Sequence, residues 1–390
     1  MDYRREIDGL RAIAVLPVML FHADFQTFSG GFVGVDVFFV ISGYLITTII
    51  LAELQAGKFS IINFYERRAR RILPALFVIM LACLPFAWLW LMPQDMKSFS
   101  QSLAAVSTFA SNILFWRTSG YFESAAELKP LLHTWSLAVE EQYYLFFPIF
   151  LMLTWRLGKR WILWLLAAAF VVSLAGAQWY SVVKPEAAFY LLPTRGWELL
   201  VGAFIAFYFA NGSNRNPAKV LSEVAGVIGI MLIIYAIFVF DKQTPFPSLY
   251  TLVPTFGTAL ILLWATQNTF VGKLLGNKVL VGIGLISYSA YLWHQPLFAF
   301  AKHRSLEEPS QALLGFLAII SIVLAYFSWK YVETPFRDKK LFNRKKIFLF
   351  GSVGSVFFIS VGLAGHFTNG FAGRIDGERG QFLSHFDNSI

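Results

Sequence analysis

The chain has 390 residues, of which 57% are hydrophobic, 17% aromatic and only 14% charged, with a mean hydropathy of +0.60. Soluble domains run nearer about 45–50% apolar and about 25% charged, so a cytosolic enzyme, a disordered chain and a disulfide-stapled secreted module are excluded, and a multi-span membrane protein remains. The excess of 32 Lys+Arg over 23 Asp+Glu, formally +9, falls in short clusters between apolar runs, a pattern that sets orientation in a bilayer and not a nucleic-acid face.

Apolar stretches of about 20 residues, enough to span as helices, fall at 8–23, 32–52, 72–92, 137–155, 161–178, 188–209, 220–240, 248–266, 279–300, 311–330 and 347–367. The first does not read as a cleavable signal, because Arg11 and His22 interrupt it and no small-residue cleavage site follows. These two residues are three helical turns apart, so they share one helix face to within about 20° and stand about 16 Å apart along it. Asp8 precedes Arg11 by one turn and can pair with it. Taken singly, Arg11 reads as a snorkelling anchor and His22 as an interfacial histidine. Ionisable groups at membrane depth are costly, however, and the shared face predicts a polar cavity along the helix.

The second span carries Asp36, Ser42 and Tyr44. Next comes Tyr65-Glu66-Arg67-Arg68-Ala69-Arg70-Arg71, with arginine pairs at i,i+3 and i,i+4. The guanidinium fork suits phosphate groups; an anchor to anionic lipid is the alternative. The run Phe99 to Trp116, rich in Ser, Thr and Gln, is expected to be a re-entrant or surface helix in a long outer loop, 93–136. A crossing there would reverse the charge bias of every later loop. The loop ends in His133-Thr134-Trp135-Ser136-Leu137-Ala138-Val139-Glu140-Glu141-Gln142-Tyr143-Tyr144. The two carboxylates sit at the level of His22. They complement a helix dipole, or one of them orients and polarises the imidazole as general-base catalysis requires. Adjacent residues diverge by about 100° on a helix, so one glutamate faces the cavity, and spacing does not choose between them. Arg195 and Glu198, at i and i+3, are expected to neutralise each other. In the ninth span Ser287, Tyr288, Ser289 and His294 are polar; His294 reads as packed, with a second cavity histidine as the alternative.

With Arg4 and Arg5 in the cytoplasm, eleven spans place about twenty basic residues inside and about seven outside. The odd count puts the C-terminus on the outer, periplasmic side, where the polar stretch 368–390 reads as a linker. The lone Cys83 permits no intramolecular disulfide. No internal repeat, P-loop, GxGxxG, GxSxG or HExxH motif occurs, and no metal-ligand cluster. The expected fold is an all-α integral membrane protein, with about eleven transmembrane helices around a polar cavity.

Several of these motifs together resemble the acyltransferase type 3 family of multi-span bacterial O-acyltransferases. They are Arg11 with His22, Gly30-Gly31-Phe32-Val33-Gly34-Val35-Asp36-Val37-Phe38-Phe39-Val40-Ile41-Ser42-Gly43-Tyr44-Leu45, and the arginine run before Ile72-Leu73-Pro74-Ala75. The HTWSLAVEEQYY stretch and Ser287-Tyr288-Ser289-Ala290-Tyr291-Leu292-Trp293-His294-Gln295-Pro296 complete the set. The resemblance covers about residues 3–340. It implies a membrane domain over 1–340, with an additional transmembrane helix at 341–367 and a linker at 368–390 toward an extracytoplasmic SGNH-type domain. It further implies His22 as the catalytic histidine and Arg11 as essential. Arg68 and Arg71, or Arg67 and Arg70, would hold acyl-CoA phosphates, and Glu140 or Glu141 would stand near the histidine. Asp36, Tyr44, His133, Ser136 and His294 are candidates to line the cavity. The implied activity is transfer of acetyl from cytoplasmic acetyl-CoA across the bacterial inner membrane to a surface polysaccharide, most often lipopolysaccharide O-antigen. The competing classes are a transporter or flippase of a glycan or lipid intermediate, and a non-catalytic membrane scaffold. A transporter often shows paired interrupted helices from internal repeats, and a scaffold needs no buried Arg–His face.

Overall fold

The computed structural model describes residues 3–119, 126–210, 212, 219–305 and 307–375, and among them every regular element is helical. In chain order these are α1 (Arg5–His22), α2 (Gly34–Gln55), α3 (Ile61–Trp90), α4 (Pro93–Ser107), α5 (Ser111–Arg117), α6 (Thr134–Thr154), α7 (Lys159–Val183) and α8 (Pro185–Tyr190). There follow α9 (Leu192–Ala210), α10 (Lys219–Val239), α11 (Leu252–Trp264), α12 (Phe270–Leu275), α13 (Lys278–Arg304), α14 (Gln311–Ser328), α15 (Thr334–Arg337) and α16 (Arg344–Phe367). Local chemistry fixes several starts. The Ser60 hydroxyl accepts from the Asn63 amide at the head of α3, and the Asn277 and Asn343 side chains do the same for α13 and α16. Pro93 and Pro185 sit at first-turn positions, where a missing N–H costs nothing.

Among the described residues, six stretches are long and apolar enough to cross a membrane: Gly31–Gln55, Ile61–Trp90, Lys159–Val183, Lys219–Val239, Gln311–Arg337 and Arg344–Phe367. The helices α1, α6, α9 and α13 have 18, 21, 19 and 27 residues; what lowers their hydropathy is the charged and polar side chains they bring to the interior. The expected span 248–266 is shorter than the sequence suggested. Only the 13 residues of α11 are α-helical, after a 3₁₀ turn at Leu249–Thr251. The run 99–116 forms no single crossing helix, since α4 and α5, of 15 and 7 residues, are separated by a break.

Close approach of helices rests on missing side chains. A Cβ on Gly43 of α2 would lie 1.9 Å from the Leu199 carbonyl oxygen of α9, and one on Gly202 of α9 2.1 Å from that of Val40. On α13, a Cβ at Gly284 would meet the Asp8 carbonyl oxygen of α1 at 1.8 Å.

Polar ties mark the two ends of the bundle. At one end, Arg344 at the head of α16 donates to Glu66 in the first turns of α3 at 2.8 Å. At the other, Gln101 and Lys97 of α4 reach His366 at 3.0 Å and Asn369 at 2.9 Å. At that second end Lys302 bonds Asp24, just past His22, at 3.0 Å and also Glu127. His303 is 2.9 Å from the Leu128 carbonyl and 3.9 Å from Asp95 of α4. The chain therefore leaves α16 at the His22 end of the bundle, opposite the arginine run. Of the linker expected at 368–390, residues 376–390 lie outside the described residues.

Candidate active site

Five helices enclose a cavity of about 260 Å³. Arg11 comes from α1 and Ser42 from α2, while α3 supplies Arg68 and Arg71; Ser136, Glu140 and Tyr144 come from α6, and Ser287, Tyr288 and Tyr291 from α13. The rest of the wall is apolar, including Phe38, Phe39, Leu45 and Ile46. Arg11 pairs with Asp8 at 3.5 Å, as the one-turn spacing predicts.

The structure separates the two arginine registers. Arg68 and Arg71 point into the cavity, and Arg68 stacks over the Tyr144 ring at 5.5 Å. Arg70 is held by Glu66 through bonds of 3.0 and 2.8 Å and donates to the Phe336 carbonyl at 3.1 Å. Arg67 is held by Glu53 at 2.9 Å. A residue three positions on in a helix returns nearly to the same face, so one pair faces inward and the other is spent on structural carboxylates. The glutamates divide as well. Glu140 lines the cavity and accepts from Ser42 at 2.7 Å; Glu141 is off the cavity, with one carboxylate oxygen buried and unpartnered.

Neither glutamate touches His22, and this corrects the expected carboxylate–imidazole pair. The His22 Nδ1 lies 2.9 Å from the Val18 carbonyl oxygen. A carbonyl only accepts, so in the neutral ring the proton sits on Nδ1 and the lone pair on Nε2. The backbone one turn back thus fixes the tautomer. His22 is also not on the wall of the main cavity. It lines a separate pocket of about 20 Å³ with Asp24, Glu127, Gln295 and Lys302. The shared helix face holds for Arg11 and His22, but the open passage expected between them is interrupted by a layer of rings. His22 and His294 stand 5.2 Å apart, His294 and His133 5.5 Å, and each of the latter two about 5.2–5.3 Å from Tyr291. Tyr291 and Ser136 close the inner cavity; their hydroxyls are 2.8 Å apart, and each lies within reach of the His133 carbonyl oxygen, at 2.9 and 3.2 Å, which accepts from one while the other donates to its neighbour.

Of the other candidates, Ser136 lines the cavity and His133 is buried just behind its closed end. His294 is buried between the two other histidines, its Nδ1 2.6 Å from the Tyr291 carbonyl, so the packed reading holds while also placing it beside His22. Asp36 and Tyr44 are corrections, because both are fully buried away from the cavity. Asp36 pairs with Arg195 at 2.8 Å, and Glu198 joins at 3.4 Å. Phe39, Phe246, Trp135 and Phe189 surround that guanidinium at 5.3–5.8 Å. Tyr44 takes a bond from Arg4 at 3.3 Å. Sequence reasoning paired Arg195 with Glu198 and missed Asp36, which is 159 positions away from Arg195. It also missed Asp24, Glu127 and Gln295 around His22; the position of Asp24 two residues beyond the histidine was the available signal.

Outside the helical core, burial pushes the Glu127 carboxyl up, but the bond from Lys302 and the nearby Lys242 pull it further down, leaving it below the ordinary value. Lys302 is the mirror case: partial burial lowers it, and its bonds to Glu127 and Asp24 raise it to a net value above that of a free lysine.

An all-helical bundle with a buried arginine cavity and histidines across its far end is the setting in which an acyl donor can be held inside a membrane. The chain belongs to the acyltransferase domain family, whose pattern matches residues 4–330. It is similar to the peptidoglycan O-acetyltransferase OatA of Listeria monocytogenes, with 32% identity over 367 residues, covering 89% of this chain and 58% of that protein. It is 31% identical over 355 residues to the O-acetyltransferase OatA of Staphylococcus aureus strain NCTC 8325, covering 86% and 58%. A protein of S. aureus strain MSSA476, provisionally named an O-acetyltransferase, is 34% identical over 357 residues, covering 87% and 58%. The chain thus spans somewhat over half the length of these relatives. No solved structure matches it.

Proposed function

We propose that this chain is the membrane-embedded part of an O-acetyltransferase that draws acetyl from acetyl-CoA at the cytoplasmic face and delivers it to an acceptor hydroxyl at the outer face. The observation that carries this reading is the convergence of Arg11, Arg68 and Arg71 on one cavity, whose closed end lies one layer of rings from His22. Three guanidiniums against one carboxylate make an anion site. Arg68 and Arg71 receive the CoA phosphates while the thin pantetheine arm runs along the apolar wall toward Tyr291. His22, with its Nε2 lone pair free, takes the proton of the attacking hydroxyl and later returns it, since an imidazole nitrogen can accept and donate in turn.

The eleven-span arrangement in a bacterial inner membrane, with the arginine end cytoplasmic, goes with this reading because the basic clusters then lie inside. For the acceptor, the Listeria relative is named for peptidoglycan, which favours peptidoglycan over the lipopolysaccharide O-antigen expected from the resemblance. The exit of α16 at the His22 end suits onward transfer by an SGNH-type domain. A transporter needs an opening to each side in turn, and the built cavity here is closed at one end by side chains that bond one another.

The test is direct. Detergent-purified chain should release free CoA from acetyl-CoA with water standing in for the acceptor hydroxyl, and His22→Ala should abolish that release in a protein that still binds CoA. Arg71→Ala should weaken CoA binding by about tenfold or more, since a hydrogen bond to a charged group contributes about 1.5–3 kcal/mol. Near-normal transfer by a well-folded His22→Ala variant overturns the scheme.

A further inference from the structure

The ring layer between the two pockets contains a buried polar group that, among the described residues, makes no hydrogen bond. His133 is 2% exposed, and among the described residues neither of its ring nitrogens has a hydrogen-bond partner. A neutral imidazole carries one N–H and a protonated one two, so whatever its charge, a buried donor here goes unused. Leaving a buried donor unpaired is costly, because its lost hydration is not replaced. The ring has an obvious alternative employment at the N-cap of α6, yet it makes no capping bond. Its position is nonetheless fixed, because the Tyr291 and Ser136 hydroxyls grip its own backbone carbonyl, and its ring packs edge-on against Tyr291 and His294.

His294 cannot fill the same place in its neutral form. Its Nδ1 hydrogen is committed to the Tyr291 carbonyl, which leaves Nε2 an acceptor without a partner. His22 is committed in the same way to Val18. Of the three histidines, His133 alone has a free N–H when all are neutral.

We infer that His133 donates this hydrogen bond to the carbonyl oxygen of the acyl group as it passes the closed end of the cavity, and that it stabilises the oxyanion formed there. The inference rests on the acyl-transfer reading above. In the step, the acceptor oxygen forms a bond to the acyl carbon while its proton passes to His22 Nε2. The carbonyl electron pair moves onto oxygen, which accepts from His133. Collapse of this intermediate breaks the C–S bond, and His22 returns the proton to the leaving thiolate. The products are an acyl ester and free CoA, and no other reactant is needed.

The experiment compares His133→Phe, which keeps a ring and removes the donor, with His133→Gln, which restores an N–H near the same place. Both are made in the full chain and read by CoA release from acetyl-CoA and by calorimetric titration with CoA. Removing one such donor typically costs about 10²–10³-fold in turnover. His133→Phe should therefore fall by that factor with CoA affinity within about twofold of the parent, and His133→Gln should regain at least about tenfold of the loss. If His133→Phe does not fold, His133→Met, of similar length and more pliant, takes its place. Parental turnover in the donor-less variant overturns the inference, as does a His133→Gln protein no more active than His133→Phe. In both cases an inactive His22→Ala control leaves the acyl-transfer reading standing. If the parent itself releases no CoA, that reading and this inference fall together.

Discussion

Arg195 shows how a charged residue at membrane depth can be structural. Its side chain is fully buried against Asp36 and Glu198 and ringed by four aromatic side chains. Removing one member of a buried ion pair typically costs about 3–5 kcal/mol because the others remain uncompensated. Arg195→Met should accordingly lower the thermal unfolding temperature in detergent sharply, whereas the triple change that also makes Asp36 and Glu198 into leucine should recover much of the loss. A triple variant no more stable than the single one would assign these groups a role beyond packing. At the His22 end of the bundle, the Lys302 strap to Asp24 and Glu127 gives a pH prediction of known sign. A carboxyl depressed in the folded state, such as Glu127, stabilises above its unfolded pKa of about 4.3 and ceases to do so as pH falls through its folded value. A lysine raised in the folded state stabilises below its unfolded value of about 10.4 and ceases to do so as pH rises through its folded value. The strap contributes fully between these limits and weakens outside them. Because Glu127 is about half exposed, solvent screening keeps the effect to the order of 1 kcal/mol or less. The unfolding midpoints of parent and Lys302→Met should therefore differ most at neutral pH and converge in acid.

At the scale of elements, helices meet where glycine lets backbone touch backbone. Gly43 and Gly202 each face a carbonyl oxygen of the opposing helix at a distance no Cβ can occupy. Gly202→Ala should thus force α2 and α9 apart at a cost of about 1–3 kcal/mol, read as a lower unfolding temperature and a smaller monodisperse fraction on size exclusion. Gly282, with nothing near its Cβ position, serves as the control and should change little. Element identity was largely written in the apolar runs, and ten of the eleven expected spans overlap a helix of 18 residues or more. The exception, 248–266, reads as a full span because Thr and Pro flank an apolar centre; the chain enters it by a 3₁₀ turn, and α11 ends at Trp264. Ser, Thr and Gln content with the charge rule argued against a crossing helix over 99–116, but the division into α4 and α5 was not foreseen.

For the whole molecule, the surface itself argues for lipid. Trp161 and Trp164 near one end of α7 and Trp179 near the other are about two-thirds exposed, as aromatic anchors at two interfaces are. With buried Cys83 replaced by serine, a single cysteine at the exposed Gln243 should react with an impermeant thiol reagent applied to intact cells. One at the exposed Lys339 should react only after permeabilisation. The reverse pattern would invert the proposed orientation.

The sequence by itself determined that the chain is a helical membrane bundle, that Arg11 and His22 share a face, and that Arg67–Arg71 holds two arginine pairs at helical spacing. Those facts follow from hydropathy and from the period of a helix, both local. Tertiary structure alone decided that Arg68 and Arg71 face the cavity while Arg67 and Arg70 are bound elsewhere. It likewise decided that Glu140 keeps company with Ser42 and the arginines, and that a backbone carbonyl sets the His22 tautomer. The gathering of His22, His133 and His294 was equally beyond the sequence, since it joins residues from three helices far apart in the chain. Which partner a side chain meets depends on how helices are rotated and docked against one another, and no period within a single helix encodes that.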